Sequence, residues 1–261
     1  MIEHDGHIHS PYCPHGSSDT FESYCEQAIR QGLKGITFTE HAPLPRGFVD
    51  PTPQQDSGMK LEDLTSYVET IQALKEKYRN RLNVLLGLEV DYIEGFEAET
   101  KAFLQQYGPL LDDGILSVHF LKAGERYICM DYAPESFRSL VEWYGSIDDV
   151  YRHYYETVRK SITSDLGHYK PKRLGHLTLV RKFQKKFTPS SLFEGEIRSL
   201  LKLIKRMGYS LDYNGAGVLK PLCGEPYPYK HIAVAANELG IPLIYGSDAH
   251  QVRAMQAGSN S

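Results

Sequence analysis

The 261-residue chain has only four cysteines, and none of them forms a C-x-x-C pair. No apolar run approaches the ~20 residues of a membrane span. The first ten residues, MIEHDGHIHS, lack the apolar centre of a signal peptide. We therefore expect neither a disulfide framework nor a thiolate metal site. A reduced, cytoplasmic protein without a membrane partner is the simplest interpretation.

Basic stretches are also absent. The chain has 29 Lys and Arg against 33 Asp and Glu, a net charge of −4, and no polybasic block. Nucleic-acid-binding proteins normally carry a basic stripe, so we expect no nucleic-acid partner. Charged residues make up 24% of the chain and hydrophobic residues 41%, which is a composition typical of a folded protein.

Histidine is the abundant residue, with 11 in the chain, nearly three for every cysteine. Imidazole and carboxylate groups are the ligands of borderline divalent ions such as zinc. If a metal binds here, we expect nitrogen and oxygen ligands.

Short apolar runs alternate with longer amphipathic segments along the chain. The predicted strands are 2–8, 35–39, 83–90, 114–119, 173–177, 209–213 and 242–247. The predicted helices are 19–31, with Asp19 as N-cap, 60–78, 95–107, 134–143, 147–163, 190–207 and 229–239. Seven strand–helix units predict a parallel sheet, and the missing Gly-rich dinucleotide turn favours a barrel. We expect one domain over 1–261, with long loops at 42–58 and 217–229.

The predicted strands end in polar side chains, and these are the candidate functional residues. The ends carry His7 and His9, then Glu40 and His41, Glu89 and Asp91, His119, His176, Asn214, and finally Asp248 and His250. In a parallel barrel all strand carboxyl ends meet on one face, where active sites lie. An HxH triplet alone is a weak signal, and two surface histidines would explain it. The joint pattern predicts a metal site on that face.

Two further histidines each have a simple alternative interpretation. His15 follows the first strand, near the same face, and a solvated loop histidine is the alternative. His153 lies in a predicted helix with Arg159 downstream, and an ordinary helix histidine is the simpler interpretation.

These residues, in this order, resemble the PHP (polymerase and histidinol phosphatase) superfamily. The matching motifs are His7-Ile8-His9, Thr39-Glu40-His41, Gly87-Leu88-Glu89, Ser117-Val118-His119, Gly175-His176-Leu177 and Ser247-Asp248-Ala249-His250. They run through nearly the whole chain. The opening DGHIHSPYCPHG, the segment YRHYY at 151–155 and KPLCGEPY at 220–227 resemble the monofunctional histidinol-phosphate phosphatase group.

The resemblance implies a distorted (β/α)7 barrel, similar to a TIM barrel, with a trinuclear metal centre. It implies zinc, manganese or iron, three divalent ions in all. One ion would be held by His7, His9, Glu89 and Asp248. The second would be held by Glu89, His119 and His176, and the third by His15, His41 and His250. The related amidohydrolases often use a carboxylated lysine where this chain has Glu89.

The implied reaction is hydrolysis of L-histidinol phosphate in histidine biosynthesis, by in-line attack of a hydroxide bridging two ions. Asp248 or His250 could protonate the leaving group, and nothing in the sequence chooses between them. For phosphate recognition Arg159 is the first choice and Lys220 the second, with a solvated charge as the alternative for both. Glu225 is a candidate for reading the imidazole or amine, and His153 is held as a further substrate contact.

Three other interpretations remain open. The same site could act on another small phosphate ester, a nucleotide or an oligonucleotide end. The chain could be a metal-binding module without activity, although every motif position carries a competent side chain. A deacylase of the amidohydrolase kind is disfavoured by Glu89.

Overall fold

The structure is a computed structural model that describes residues 2–259. In chain order the strands are β1 (His4–Ile8), β2 (Gly35–His41), β3 (Asn83–Asp91), β4 (Asp113–Ser117), β5 (Phe120–Ala123), β6 (Arg126–Cys129), β7 (Arg173–Leu174), β8 (Ser210–Asn214) and β9 (Leu243–Gly246). β5 and β6 form an antiparallel hairpin. The other seven form one parallel sheet in the order β1-β2-β3-β4-β7-β8-β9.

The two edges of this sheet meet at their carboxyl ends. Ile8 forms a parallel bridge with Ala249, just beyond β9. The amide of His9 donates to the carbonyl of Ala249 at 3.1 Å, and the amide of Asp248 donates to the carbonyl of His7 at 2.8 Å. The predicted distorted (β/α)7 barrel is confirmed, and the contacts between its edges lie beside the predicted metal ligands.

Helices follow the strands and cover the outside of the sheet. They are α1 (Phe21–Arg30), α2 (Leu64–Tyr78), α3 (Glu97–Tyr107), α4 (Pro134–Tyr144), α5 (Ile147–Thr163), α6 (Glu194–Arg206), α7 (Ala216–Leu219) and α8 (Lys230–Glu238). Short 3₁₀ helices occupy Leu61–Asp63, Gly108–Leu110, Leu179–Phe183 and Val252–Ala254. Within residues 2–259, no helix combines the length and apolarity needed to cross a bilayer.

Four details differ from the sequence-based expectations. The N-cap of α1 is Thr20, whose hydroxyl accepts from the amide of Ser23, whereas Asp19 accepts from the amide of Val252 at 2.8 Å. β7 has only two residues, and the chain leaves the sheet after the Gly175 amide donates to the Leu116 carbonyl at 3.0 Å. The β5–β6 hairpin lies between the strand predicted at 114–119 and the helix predicted at 134–143, where no element is predicted, and α7 overlaps the loop predicted at 217–229.

A buried tyrosine ties helix α2 to the centre of the sheet. The Tyr67 hydroxyl lies 2.9 Å from the carbonyl oxygens of both Phe38, in β2, and Gly87, in β3. Tyr67 is 0% exposed, and its ring packs against apolar residues of the core. The hydroxyl therefore links the two strands whose ends carry His41 and Glu89.

We predict that Tyr67→Phe lowers the free energy of unfolding by roughly 1–3 kcal/mol, because it removes the one hydroxyl proton that two buried carbonyls share. Urea denaturation measures this difference. Tyr169→Phe, at a residue that is 40% exposed, is the matched control and should change it little. Equal unfolding free energies for the Tyr67 variant and the wild type would contradict this assignment.

Candidate metal centre

The carboxylate of Glu89, at the end of β3, lies at the centre of the strand-end cluster and is 1% exposed. Five imidazoles surround it. Its Oε2 lies 3.1 Å from His41 Nδ1, 3.4 Å from His7 Nε2 and 3.7 Å from His9 Nε2. Its Oε1 lies 3.0 Å from His176 Nε2 and 3.8 Å from His119 Nε2. The Ser117 hydroxyl donates to the same Oε1 at 2.5 Å.

On the β1 side, the ligand atoms of His7, His9 and Glu89 lie within 4.8 Å of one another. The two Nε2 atoms of His7 and His9 face each other at 3.2 Å. Asp248 Oδ1 lies 3.1 Å from His9 Nε2 and 3.7 Å from His7 Nε2. The structure thus brings together the four residues of the first expected ligand set.

On the β4 side, Glu89, His119 and His176 form a second group within the same 4.8 Å limit. The Nε2 atoms of His119 and His176 face each other at 3.1 Å. This group contains the same residues as the second expected set, and Glu89 belongs to both groups.

A third group differs from the expected set. The ligand atoms that lie within 4.8 Å of one another are those of His9, Cys13, His41 and His250. His15, the expected third member beside His41 and His250, is close, with ring centroids 5.1 Å and 5.0 Å from theirs. The buried Cys13 occupies a position that sequence reasoning missed, since a lone cysteine two residues before His15 gives no metal-site signal.

Most of these imidazoles are held through Nδ1, which leaves Nε2 turned into the cluster. The Nδ1 partners are Asp212 for His7 at 2.8 Å, Glu40 for His9 at 3.2 Å, Asp91 for His119 at 2.7 Å, the Asp56 carbonyl for His15 at 2.8 Å and the Asp248 carbonyl for His250 at 3.1 Å. An oxygen acceptor on one ring nitrogen fixes the tautomer and orientation of a metal-binding histidine. The ring nitrogens are therefore arranged as ligands.

The His15 contact depends on the loop at 42–58. The Asp50 carboxylate accepts from the amides of Thr52 and Ser57, both at 2.9 Å, and from the Ser57 hydroxyl at 3.1 Å. These bonds fix the turn that presents the Asp56 carbonyl to His15.

Carboxylates and imidazoles in the cluster strongly perturb one another. Burial disfavours a charged His9, but hydrogen bonds to Asp248 and Glu40 raise its pKa to about 9. Burial likewise opposes a charged His119, yet the Asp91 carboxylate raises its pKa to about 10. The pKa of Glu89 lies well below its usual value, because His7 and hydrogen bonds from the imidazoles outweigh its burial.

The donor set fits divalent metal ions. Facing Nε2 atoms at 3.1–3.2 Å need a proton or a cation between them, since two imidazole lone pairs repel each other. Imidazole and carboxylate are suitable ligands for zinc, manganese and iron.

Two backbone features allow this packing. Gly246 has His7 and Asp212 against the position where a Cβ would stand, so a larger residue would displace both. Asp248 adopts the left-handed conformation with φ 53°, which is uncommon outside glycine and is often found at functional sites.

A cavity of about 510 Å³ opens above the cluster, and Lys220 lies in its wall. Three other predicted substrate contacts are absent from that wall. Arg159 donates to Ser199 on α6 and lies 3.6 Å from Glu156, because helical spacing turns it away from the strand ends. His153 stacks on Tyr144, with ring centroids 3.9 Å apart. Glu225 pairs with Arg181 at 2.5 Å. The expectations for Arg159, His153 and Glu225 are corrected accordingly.

Sequence reasoning also missed Asp212, which holds His7, and the two charged residues Asp131 and Lys182, which line the cavity. Asp212 lies two residues before Asn214 in β8, and strand alternation could have identified it. Asp131 follows the unpredicted hairpin, and Lys182 lies in a 3₁₀ helix after His176, where no motif marks them.

The sequence is similar to a known domain family and to proteins of that family. A sequence model of the PHP domain matches residues 5–216. A histidinol-phosphatase of Bacillus subtilis is 49% identical over 255 residues, covering 96% of this chain and 94% of the relative.

Two solved structures are similar over almost the whole chain. A candidate histidinol phosphatase from Listeria monocytogenes has a TM-score of 0.94 and 39% identity, covering 98% of each chain. A histidinol phosphate phosphatase from Lactococcus lactis, in complex with zinc, L-histidinol and phosphate, has a TM-score of 0.72 and 20% identity. The superposition covers 96% of this chain and 87% of the Lactococcus lactis chain. At 20% identity, this similarity concerns the fold alone.

We predict that His176→Ala lowers the number of bound metal ions per chain by at least one, because it removes a nitrogen beside Glu89. Elemental analysis after dialysis against metal-free buffer measures this number. His168→Ala, at an exposed loop histidine, is the control and should keep the wild-type metal content. A His176 variant with full metal content and full activity would contradict the ligand assignment.

Metal loading should release protons at pH 7. With pKa values of about 9 and 10, His9 and His119 hold protons in the metal-free protein, whereas metal ligation needs the neutral imidazole. Metal affinity should therefore rise with pH up to about these values. Titration calorimetry in buffers of different ionisation enthalpy measures the protons released, and heats independent of the buffer would refute the expectation.

Proposed function

The chain belongs to the PHP domain family, and we propose that it is a metal-dependent phosphomonoesterase that hydrolyses L-histidinol phosphate to L-histidinol and phosphate. The observation that carries this proposal is the buried cluster of facing imidazoles around Glu89, open to a small cavity. The Bacillus subtilis relative, at 49% identity over nearly the whole chain, supports the substrate. The implied role is a step of histidine biosynthesis.

We further propose three bound ions. Glu89 would bridge two of them, one with His7, His9 and Asp248 and the other with His119 and His176. His41 and His250 would hold the third, with His15 or Cys13 completing it. Zinc in the Lactococcus lactis protein supports zinc as a candidate beside manganese and iron. When bound, such ions neutralise phosphoryl charge and lower the pKa of water toward neutrality.

The chain's own residues supply orientation and proton handling. Asp248 and His250 both reach the cavity wall, and Asn214 Nδ2 holds Asp248 Oδ2 at 3.2 Å. Burial would raise the pKa of Asp248, but His7 and a hydrogen bond from His9 hold it well below its usual value. Asp248 is therefore ionised, as a metal ligand must be. Asp248 is one candidate for the group that delivers a proton to the leaving oxygen. His250 is the second candidate for this transfer.

The cavity volume also fits the proposed substrate. A volume of about 510 Å³ suits a small ester and lies in the range of small-molecule sites. The Lys220 side chain in its wall is a proposed contact for the phosphate. Since the ions would supply the positive field, the net charge of −4 is no obstacle.

We also propose that residues 1–261 form one domain and that the protein is cytoplasmic. One connected core of buried residues, which extends through strands and helices from β1 to β9, supports the first proposal. The four free cysteines support the second.

Turnover on purified protein of known metal content tests the proposed function. Histidinol phosphate should give a higher kcat/KM than p-nitrophenyl phosphate, a nucleoside monophosphate or a short single-stranded DNA, because the cavity is small and lacks a basic stripe. Dialysis against a chelator should abolish turnover, and added zinc or manganese should restore it. Equal or better turnover of the nucleic-acid substrates would favour a nuclease or nucleotidase instead.

A further inference from the structure

An ion pair lies in the wall of the cavity and is not part of the ligand cluster. Lys182 Nζ lies 2.9 Å from Asp131 Oδ2, with the two side chains 21% and 16% exposed. Both residues line the cavity together with His119 and His176. The pair therefore faces the substrate space.

The backbone ties each member of this pair to a histidine beside Glu89. The amide of Met130, next to Asp131, donates to the His119 carbonyl at 2.8 Å. The 3₁₀ helix that carries Lys182 begins where the Leu179 amide donates to the His176 carbonyl at 2.8 Å. The two charges are thus fixed at the edge of the cluster, one on each of two neighbouring segments of the barrel.

Each member of the pair favours the charged form of the other. Burial opposes ionisation of Asp131, but Lys182 and His119 hold its pKa well below its usual value. Burial opposes a charged Lys182 as well, and Asp131 raises its pKa. The Cys129 thiol lies 3.6 Å from the other Asp131 oxygen, Oδ1, and is a weak donor that leaves this oxygen able to accept further.

Such a pair is not explained by stability alone. A partly buried ion pair loses much of its attraction to desolvation, and apolar side chains of similar size would often serve as well. Charged groups with perturbed pKa values in the wall of a cleft are candidates for a functional role. This pair offers a ligand both a carboxylate acceptor and an ammonium donor.

We propose that Asp131 and Lys182 read the two charges of a phosphate ester of a vicinal amino alcohol, with Asp131 accepting from the ligand ammonium and Lys182 donating to a phosphoryl oxygen. This inference rests on the proposed function, because the ammonium and the phosphate ester of L-histidinol phosphate are on adjacent carbons. Opposite charges so close together in the ligand match the neighbouring charges of the pair. Asp131 would then determine the preference for an amine, and Lys182 would strengthen phosphate binding in any substrate.

The test compares L-histidinol phosphate with 3-(imidazol-4-yl)propyl phosphate, which lacks only the amine. The wild type should prefer the amine-bearing ester. Asp131→Asn should lower kcat/KM for that ester at least about 10-fold and for the amine-free ester less than about 3-fold, as expected for losing a charged hydrogen bond. Lys182→Gln should raise KM for both esters and preserve the preference.

Asp165→Asn is the matched control, because Asp165 pairs with Lys101 at 2.6 Å on the exposed surface. It should leave both rates within about 2-fold of wild type, as most surface pairs contribute little. Equal losses on both esters in Asp131→Asn, at unchanged metal content and melting temperature, would overturn the proposal, because Asp131 would then not discriminate the amine. If that variant is unstable, Asp131→Glu keeps the charge and should still reduce the amine preference.

The experiment also separates this inference from the proposed function. If the wild type does not hydrolyse histidinol phosphate, the proposed function fails. Amine recognition is then measured by inhibition of p-nitrophenyl phosphate turnover with 2-aminoethyl phosphate against ethyl phosphate. Stronger inhibition by the amine, lost in Asp131→Asn, supports the inference, and equal inhibition overturns it.

Discussion

The buried carboxylate of Glu89 is the constraint on which the rest of the site depends. It is 1% exposed and lies within 3.8 Å of five imidazole rings. A buried negative charge is costly unless it is paired and hydrogen-bonded. The surrounding nitrogens meet this need, and a divalent ion on each side of the carboxylate would meet it more fully. Bound ions, imidazoles and the carboxylate would therefore stabilise one another, and removal of any one would leave the others uncompensated.

A second layer of oxygens makes this arrangement specific. Asp212, Glu40 and Asp91 each accept from the Nδ1 of one histidine and so direct its Nε2 toward Glu89. Each of these acids lies on or beside a strand, so the barrel itself sets the orientation of the rings. The same carboxylates balance the positive charge that bound ions would bring.

The barrel and most of its candidate metal ligands could be predicted from the sequence, because the strands and the polar residues that follow them can be recognised there. Nearly continuous apolar runs predict strands such as β2, β3 and β9. The polar residues that follow the predicted strands, such as His119 and His176, meet wherever parallel strands close into a barrel. Contacts that depend on tertiary placement could not be predicted. Arg159 has the right chemistry for phosphate, but its position on α5 turns it toward α6. Cys13 and the Asp131–Lys182 pair come from segments without regular periodicity, so only the folded chain shows where they lie.

Glu89 is proposed to contact two metal ions. Anomalous diffraction from crystals of the metal-loaded protein, recorded above and below the absorption edge of the bound metal, tests it most directly. We expect two anomalous peaks in contact with the Glu89 carboxylate, one beside His7 and His9 and one beside His119 and His176. A single peak, or peaks that do not contact Glu89, would contradict it.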